Sequence, residues 1–207
     1  FFTPYSVDID YFQRCSRQLA DADTLKTELY GQNKPVILYV AKLIDRKRPL
    51  DLLKASQNIH GDVLIVFVGE GTLRKEMEQY IRKNGITNIV LKGFVNQSEL
   101  PRYYASADIF ILPSEYESFG LVINEAMCFG LPIITTKGVA SAVDLVKENG
   151  MIYPVGDIAA LTRCIQVLLD NSQLRHSMRK RSLEIISSWN YTACIRGILS
   201  ALSIPHD

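Results

Sequence analysis

The chain has 207 residues, 47% of them hydrophobic and 22% charged. That is enough apolar side chain for one filled core, and too ordinary a composition for disorder, collagen or a disulfide scaffold. Its 23 Lys and Arg against 22 Asp and Glu leave a formal charge of +1, so no global field gathers polyanions or acidic membranes, and nucleic acid is not an expected partner.

Phe1 opens the chain without Met, a basic leader or a small-residue cleavage pattern, which suggests a trimmed piece of a longer protein. The stretch to Asn33 is mixed: Val7 to Phe12 suggests a docked turn, and Ser16 to Tyr30 a polar, mostly exposed helix. Short β-branched runs then alternate with helical spacing. Val36 to Val40, Val63 to Val68, Asn88 to Leu91, Ile109 to Leu112 and Pro132 to Thr135 read as buried strands. Between them Pro49 to Ile59, Leu73 to Asn84, Glu99 to Ala107 and Leu121 to Phe129 read as helices. After Gly138 the pattern weakens, recovers a short strand at Met151 to Tyr153, and continues into helices over Asp157 to Asn171, Gln173 to Ser188 and Tyr191 to Leu202. Asp157 is the expected N-cap of the first of these. The order predicts an α/β fold, a doubly wound parallel sheet with helices on both faces.

No apolar run approaches the ~20 residues of a membrane-spanning helix. Cys15, Cys128, Cys164 and Cys194 form no Cys-x-x-Cys pair, and His60, His176 and His206 no helical pair, so no metal is expected. Reduced cysteines suit a cytoplasmic protein. Arg175, Arg179, Lys180 and Arg181 form a basic helical stripe whose default is a solvated face, with membrane-surface contact as the sharper alternative.

Ligands of open parallel sheets bind beyond the carboxyl ends of the strands, which selects five loops. The first, Ala41 to Pro49, carries Lys42, Arg46, Lys47 and Arg48 before a helix opened by Pro49, and suits phosphate unless it is merely a wet basic loop. The second, Gly69-Glu70-Gly71, permits close backbone approach, although Arg74 breaks a G-x-G-x-x-G fingerprint; a tight turn is the plainer reading. In the third, Phe94 and Val95 could meet a planar base, although Phe beside a sheet is most often core. The fourth runs from Pro113 through Glu117, Phe119, Gly120 and Leu121 into a helix carrying Glu125. Its backbone N–H groups and dipole favour a diphosphate, and a carboxylate at Glu125 suits a sugar diol. Buried beside Val122, Ala126 and Phe129, that acid needs a partner. The fifth, Thr135 to Ser141, supplies hydroxyls near the same rim.

The segment from Glu99-Leu100-Pro101 through Tyr104-Ala105-Ser106-Ala107-Asp108 to Glu117-Ser118-Phe119-Gly120 and Glu125-Ala126-Met127 resembles the retaining group-1 (family 4) glycosyltransferases, two-domain enzymes of the GT-B fold. The likeness runs from about Val36 to Ile186 and includes Gly69-Glu70-Gly71, Gly130-Leu131-Pro132-Ile133 and Asn149-Gly150. It implies a Rossmann-like C-terminal half of a GT-B fold, with 1–33 as an interdomain connection and leading helix, 34–188 as the nucleotide-sugar-binding domain and 189–207 as a helix crossing back to an N-terminal acceptor domain absent from this chain. It further implies that Glu125 holds the ribose hydroxyls, that Glu117 meets the donor sugar, that the amides of Phe119, Gly120 and Leu121 engage the diphosphate and sugar, and that Phe94 and Val95 receive the base. Lys47 matches the family's phosphate-binding Lys. Lys42 stands where Arg is usual, and Ala41 and Arg48 where Gly is frequent; Lys keeps the charge but loses Arg's bidentate fork.

The implied activity is hexosyl transfer with retention from a nucleoside diphosphate sugar, UDP-, GDP- or ADP-linked, to a saccharide or lipid-linked acceptor in cell-surface polysaccharide synthesis. Lys42 and Lys47 would stabilise the leaving group without metal or other cofactor. The protein would be cytoplasmic or peripheral on the inner face of the membrane, and this chain alone would bind nucleotide without turning over an acceptor. A nucleotide-sugar epimerase of GT-B form and a non-catalytic nucleotide-binding module are the competing readings.

Overall fold

The computed structural model describes residues 1–202; residues 203–207, with His206, lie outside the described residues. Six strands, β1 (Val36–Val40), β2 (Leu64–Val68), β3 (Ile89–Gly93), β4 (Ile109–Leu112), β5 (Ile133–Thr136) and β6 (Gly150–Tyr153), form one sheet in the order β3-β2-β1-β4-β5-β6. Every pairing is parallel, with Val36 opposite Leu64 through Val40 opposite Val68 at the centre. Alternation along the strands divides the core into two layers. Val36, Leu38, Val40, Val66 and Phe110 pack on one face, whereas Ile37, Tyr39, Ile65, Phe67 and Ile111 pack on the other. The run from Asn88 is the strand that departs from expectation. β3 lies at the sheet edge and is only half-buried, with Lys92 exposed.

The N-terminal stretch forms two helices where one was expected, α1 (Ile9–Gln18) and α2 (Ala22–Tyr30). Each helix is opened by a capping aspartate, and the second cap makes the break: Asp8 accepts from the Tyr11 N–H at 2.9 Å, and Asp21 accepts from the Asp23 and Thr24 N–H groups at 3.1 Å each. Neither helix is merely polar surface. Phe12 enters the core between Tyr104 and Phe129, and Lys26, its side chain 7% exposed, reaches Asp108 at 2.9 Å.

The remaining helices are α3 (Pro49–Ala55), α4 (Arg74–Asn84), α5 (Leu100–Ser106), α6 (Leu121–Cys128), α7 (Ala142–Leu145), α8 (Ile158–Asp170), α9 (Ser172–Ser187) and α10 (Tyr191–Leu202). Asp157 caps α8 through the Ala160 N–H at 2.8 Å, as expected. The basic stripe on α9 is only partly a solvated face. Arg175 donates to the Leu168 and Leu169 carbonyls at the end of α8, and Arg179 to Ala107 at 3.5 Å and Phe129 at 3.4 Å. Long guanidinium forks here satisfy backbone carbonyls that helix and loop ends leave open. The four cysteines are free thiols.

Candidate functional site

The strand order reverses between β1 and β4, so the loops that follow them, residues 41–48 and 113–120, face each other across a crevice at the carboxyl edge of the sheet. The Glu115 N–H donates to the Arg46 carbonyl at 2.8 Å and joins the two loops directly. The first loop is supported from below by the turn after β2. The Leu43 N–H donates to the Glu70 carbonyl at 2.9 Å, and a Cβ at Gly69 would lie 2.0 Å from the Ala41 carbonyl oxygen, so only glycine permits this approach. Gly69 and Glu70 therefore brace the loop, and neither lines the two clefts described below. The Glu70 carboxylate is held by Arg74 at 2.6 Å.

The second loop is clamped by the segment after β5. The Glu117 N–H donates to the Gly138 carbonyl and the Ala140 N–H to the Glu117 carbonyl, both at 3.0 Å. The Thr136 hydroxyl donates to the Ser114 carbonyl and the Ser141 hydroxyl to the Phe119 carbonyl. The hydroxyls of this fifth loop thus hold the fourth loop in shape.

A cleft of about 260 Å³ lies between the loops, lined by Lys42, Arg46, Lys47, Glu117, Gly120 and Leu121 among others. Lys47 contacts the Glu117 carboxylate, and Arg46 stands 4.0 Å from the same oxygen. Burial pushes the Lys47 ammonium down to about 8, and the like charges of Arg46 and Lys42 push the same way; the Glu117 carboxylate opposes them. Arg48 is turned elsewhere, paired with Asp51 at 2.6 Å and Glu115 at 3.5 Å. The cleft ends at the N-terminus of α6. Gly120 caps that helix in the left-handed region, φ +90°, and supplies no side-chain acceptor. Among the described residues the N–H groups of Phe119 to Val122 find no acceptor, which leaves a positive helix end facing three cations and one carboxylate.

Leu121 also lines a second cleft, of about 490 Å³, together with Asp8, Tyr11, Gln97, Ser98 and Glu125. Here Glu125 has the partner that its apolar setting required. The Tyr104 hydroxyl donates to Glu125 Oε2 at 2.7 Å. Burial raises the Glu125 carboxyl above its ordinary value, and the bond from Tyr104 opposes the rise. Phe94, just before Gln97 and Ser98, is 74% exposed, so it is not the core residue that a Phe beside a sheet usually is. Val95 packs partly against the core.

Lys42, Lys47, Glu117, Gly120 and Leu121 thus meet in one cleft and Glu125 in its neighbour, while Phe119 packs its ring on Tyr5 at 5.0 Å and Trp189 at 6.1 Å. Sequence reasoning named Tyr104 only within the resemblance and the loop 135–141 only as a source of hydroxyls; it missed the bond of Tyr104 to Glu125 and the latch made by Thr136 and Ser141. Among the described residues no group of three or more His, Cys, Asp or Glu side chains could hold a metal ion, and no helix is long and apolar enough to cross a membrane.

The family model for glycosyl transferases group 1 matches residues 23–184. The chain is similar to the sulfoquinovosyl transferase SQD2 of Arabidopsis thaliana, 28% identical over 165 residues, covering 77% of this chain and 31% of that protein. It is similar also to a 2-deoxystreptamine N-acetyl-D-glucosaminyltransferase of Niallia circulans, 27% identical over 191 residues, covering 89% of this chain and 46% of that protein. The chain therefore spans less than half the length of these curated relatives. Among solved structures it superposes on Anabaena HepE in complex with UDP, with a TM-score of 0.85 and 24% identity, over 97% of this chain and 56% of that one. It superposes also on the C-terminal domain of LpcC, a group 1 family protein of Francisella tularensis, with a TM-score of 0.77 and 22% identity, over 88% of this chain and 97% of that one. The six-stranded parallel sheet with helices on both sides is the fold these GT-B glycosyltransferase structures share.

Proposed function

This chain belongs to the group 1 glycosyl transferases, and we propose that it is the donor-binding half of a retaining, family 4 enzyme that moves a hexosyl group from a nucleoside diphosphate sugar to a saccharide or lipid-linked acceptor. The observation that carries the reading is the cleft at the sheet's reversal point. Lys42, Arg46 and Lys47 face the uncapped start of α6 there, with Glu117 between them and Glu125 in the adjoining cleft.

The two clefts match the two ends of a nucleoside diphosphate sugar. Negative charge builds on the diphosphate as the glycosidic bond breaks, and Lys42, Lys47 and the N–H groups of Phe119, Gly120 and Leu121 are aimed where that charge develops. Glu117 meets the sugar beside the phosphates. Glu125, one turn into α6, takes the ribose hydroxyls, and the Phe94 and Val95 loop takes the base. The structures with UDP among the relatives support a nucleotide partner. The acceptor would be bound by an N-terminal domain to which α10 crosses back, in a cytoplasmic or inner-membrane-associated enzyme of cell-surface polysaccharide synthesis.

Calorimetric titration with UDP, GDP and ADP tests this reading. One nucleotide should bind selectively, with its affinity lowered by both Glu125→Ala and Lys47→Ala, and the chain alone should transfer no sugar to an acceptor. Absence of binding at millimolar nucleotide, or binding indifferent to both substitutions, overturns it.

A further inference from the structure

Glu125 is the half-buried carboxylate on α6 whose orientation is set from another helix. Tyr104 lies on α5 and is fully buried. Its ring stacks on Phe129 at 5.6 Å with an interplanar angle of 22°, and it is enclosed by Phe110 at 6.0 Å and Phe12 at 6.5 Å. A ring packed on three sides by aromatic neighbours cannot leave its rotamer, so its hydroxyl is a fixed point behind Glu125, which lines the cleft. A glutamate side chain is long and otherwise free to turn. The bond to Oε2 at 2.7 Å removes that freedom, and among the described residues Oε1 has no hydrogen-bond partner.

We propose that Tyr104 is a positioning residue: its O–H fixes the plane of the Glu125 carboxylate so that the remaining oxygen lone pairs meet the vicinal hydroxyls of the nucleotide's ribose. This rests on the reading of Glu125 as the ribose acceptor. A carboxylate pinned at one oxygen recognises a diol at less entropic cost than one that must be ordered on binding. The other titratable groups around it do not supply this constraint. Asp8 and Tyr11 line the same cleft without a hydrogen bond to Glu125, and the Cys128 thiol, one turn further along α6, is pushed up to about 12 by burial and by Glu125. Tyr104 itself is raised well above its ordinary value by burial and stays a donor throughout the working range.

The test compares whichever of UDP, GDP and ADP binds tightest with its 2′-deoxy counterpart, by calorimetry. The proteins are the wild type, Tyr104→Phe, Glu125→Ala and the double variant, each with its melting temperature. The wild type should prefer the ribose form by about tenfold, the scale of one hydrogen bond to a charged group. Tyr104→Phe keeps the ring and its packing, so it should cut that preference several-fold with the 2′-deoxy affinity unchanged, and should add nothing to Glu125→Ala. A Tyr104→Phe protein that keeps the full preference, or that loses affinity for both forms equally, shows that Tyr104 only packs, and overturns the proposal. A wild type that binds nucleotide without preferring ribose, or binds none, overturns the reading of Glu125 itself and the role of Tyr104 with it.

Discussion

Lys47 sits in the cleft between the two loops with its ammonium pushed down to about 8, and on the proposed reading diphosphate binding needs that ammonium charged. Its charged fraction falls from about nine-tenths at about pH 7 to about one-tenth at about pH 9. If the bound diphosphate holds the proton on Lys47 across that range, affinity falls about tenfold over the same interval. The need for a charged ammonium fixes the sign and the lowered value fixes the window: binding is strongest below about 8 and weakens as pH rises through it. Isothermal titration with UDP at constant ionic strength measures the slope. Lys47→Arg is the control, because a guanidinium stays charged throughout and any contribution from phosphate or base ionisation remains. The wild type should lose about tenfold more than the Arg variant. Glu117→Gln removes the carboxylate paired with the ammonium, so the inflection of that variant should lie at lower pH than that of the wild type. Equal slopes in wild type and Lys47→Arg would refute the placement of Lys47 on the phosphate.

Gly120→Ala puts a Cβ at φ +90° within 3.2 Å of the Glu117 Cγ and Leu112 Cδ2 atoms and 3.3 Å of Val139 Cγ1. The strained backbone and crowded neighbours should together cost roughly 1–3 kcal/mol, read as a drop of several degrees in melting temperature with a parallel loss of nucleotide affinity. Arg179→Ala strips the donors from the Ala107 and Phe129 carbonyls and should destabilise by about 1–3 kcal/mol, a thermal-denaturation result that a merely solvated arginine would not give. Phe94→Ala removes an exposed ring and should leave stability within about 0.5 kcal/mol. It should also weaken nucleotide binding at least about threefold by loss of base stacking; unchanged affinity would place the base elsewhere.

The sheet was legible because its strands are short β-branched runs, and the reversal at β1 and β4 follows once their order is known. The placement of Lys42, Lys47, Glu117 and Glu125 in the clefts was legible because each lies beside a strand end or a helix start. The role of Tyr104 could not be, although the residue stands in the motif that carries the resemblance: nothing in a spacing of 21 residues announces that two helices will bring its hydroxyl to Glu125. Arg175 and Arg179 share the composition of an exposed stripe, and only the neighbouring carbonyls decide that they turn inward. The break between α1 and α2 did leave a mark. Asp21 followed by Thr24 is the pattern of a helix cap, outweighed by a continuous polar periodicity on either side. Gly69 and Glu70 show the converse, a motif near the site whose glycine answers to backbone packing.

The loop at Glu117 is fastened through the main chain, by an N–H donated to Gly138 and a carbonyl accepting from Ala140, while the carboxylate is paired separately with Lys47. Neither bond depends on which side chain the residue carries. Frame and side chain are therefore separable at this position: the group that faces the cleft can be exchanged while the loop that presents it keeps its course. A lineage of proteins built this way can retune what the cleft prefers one side chain at a time, with the pairing of Lys47 as the contact each exchange has to accommodate.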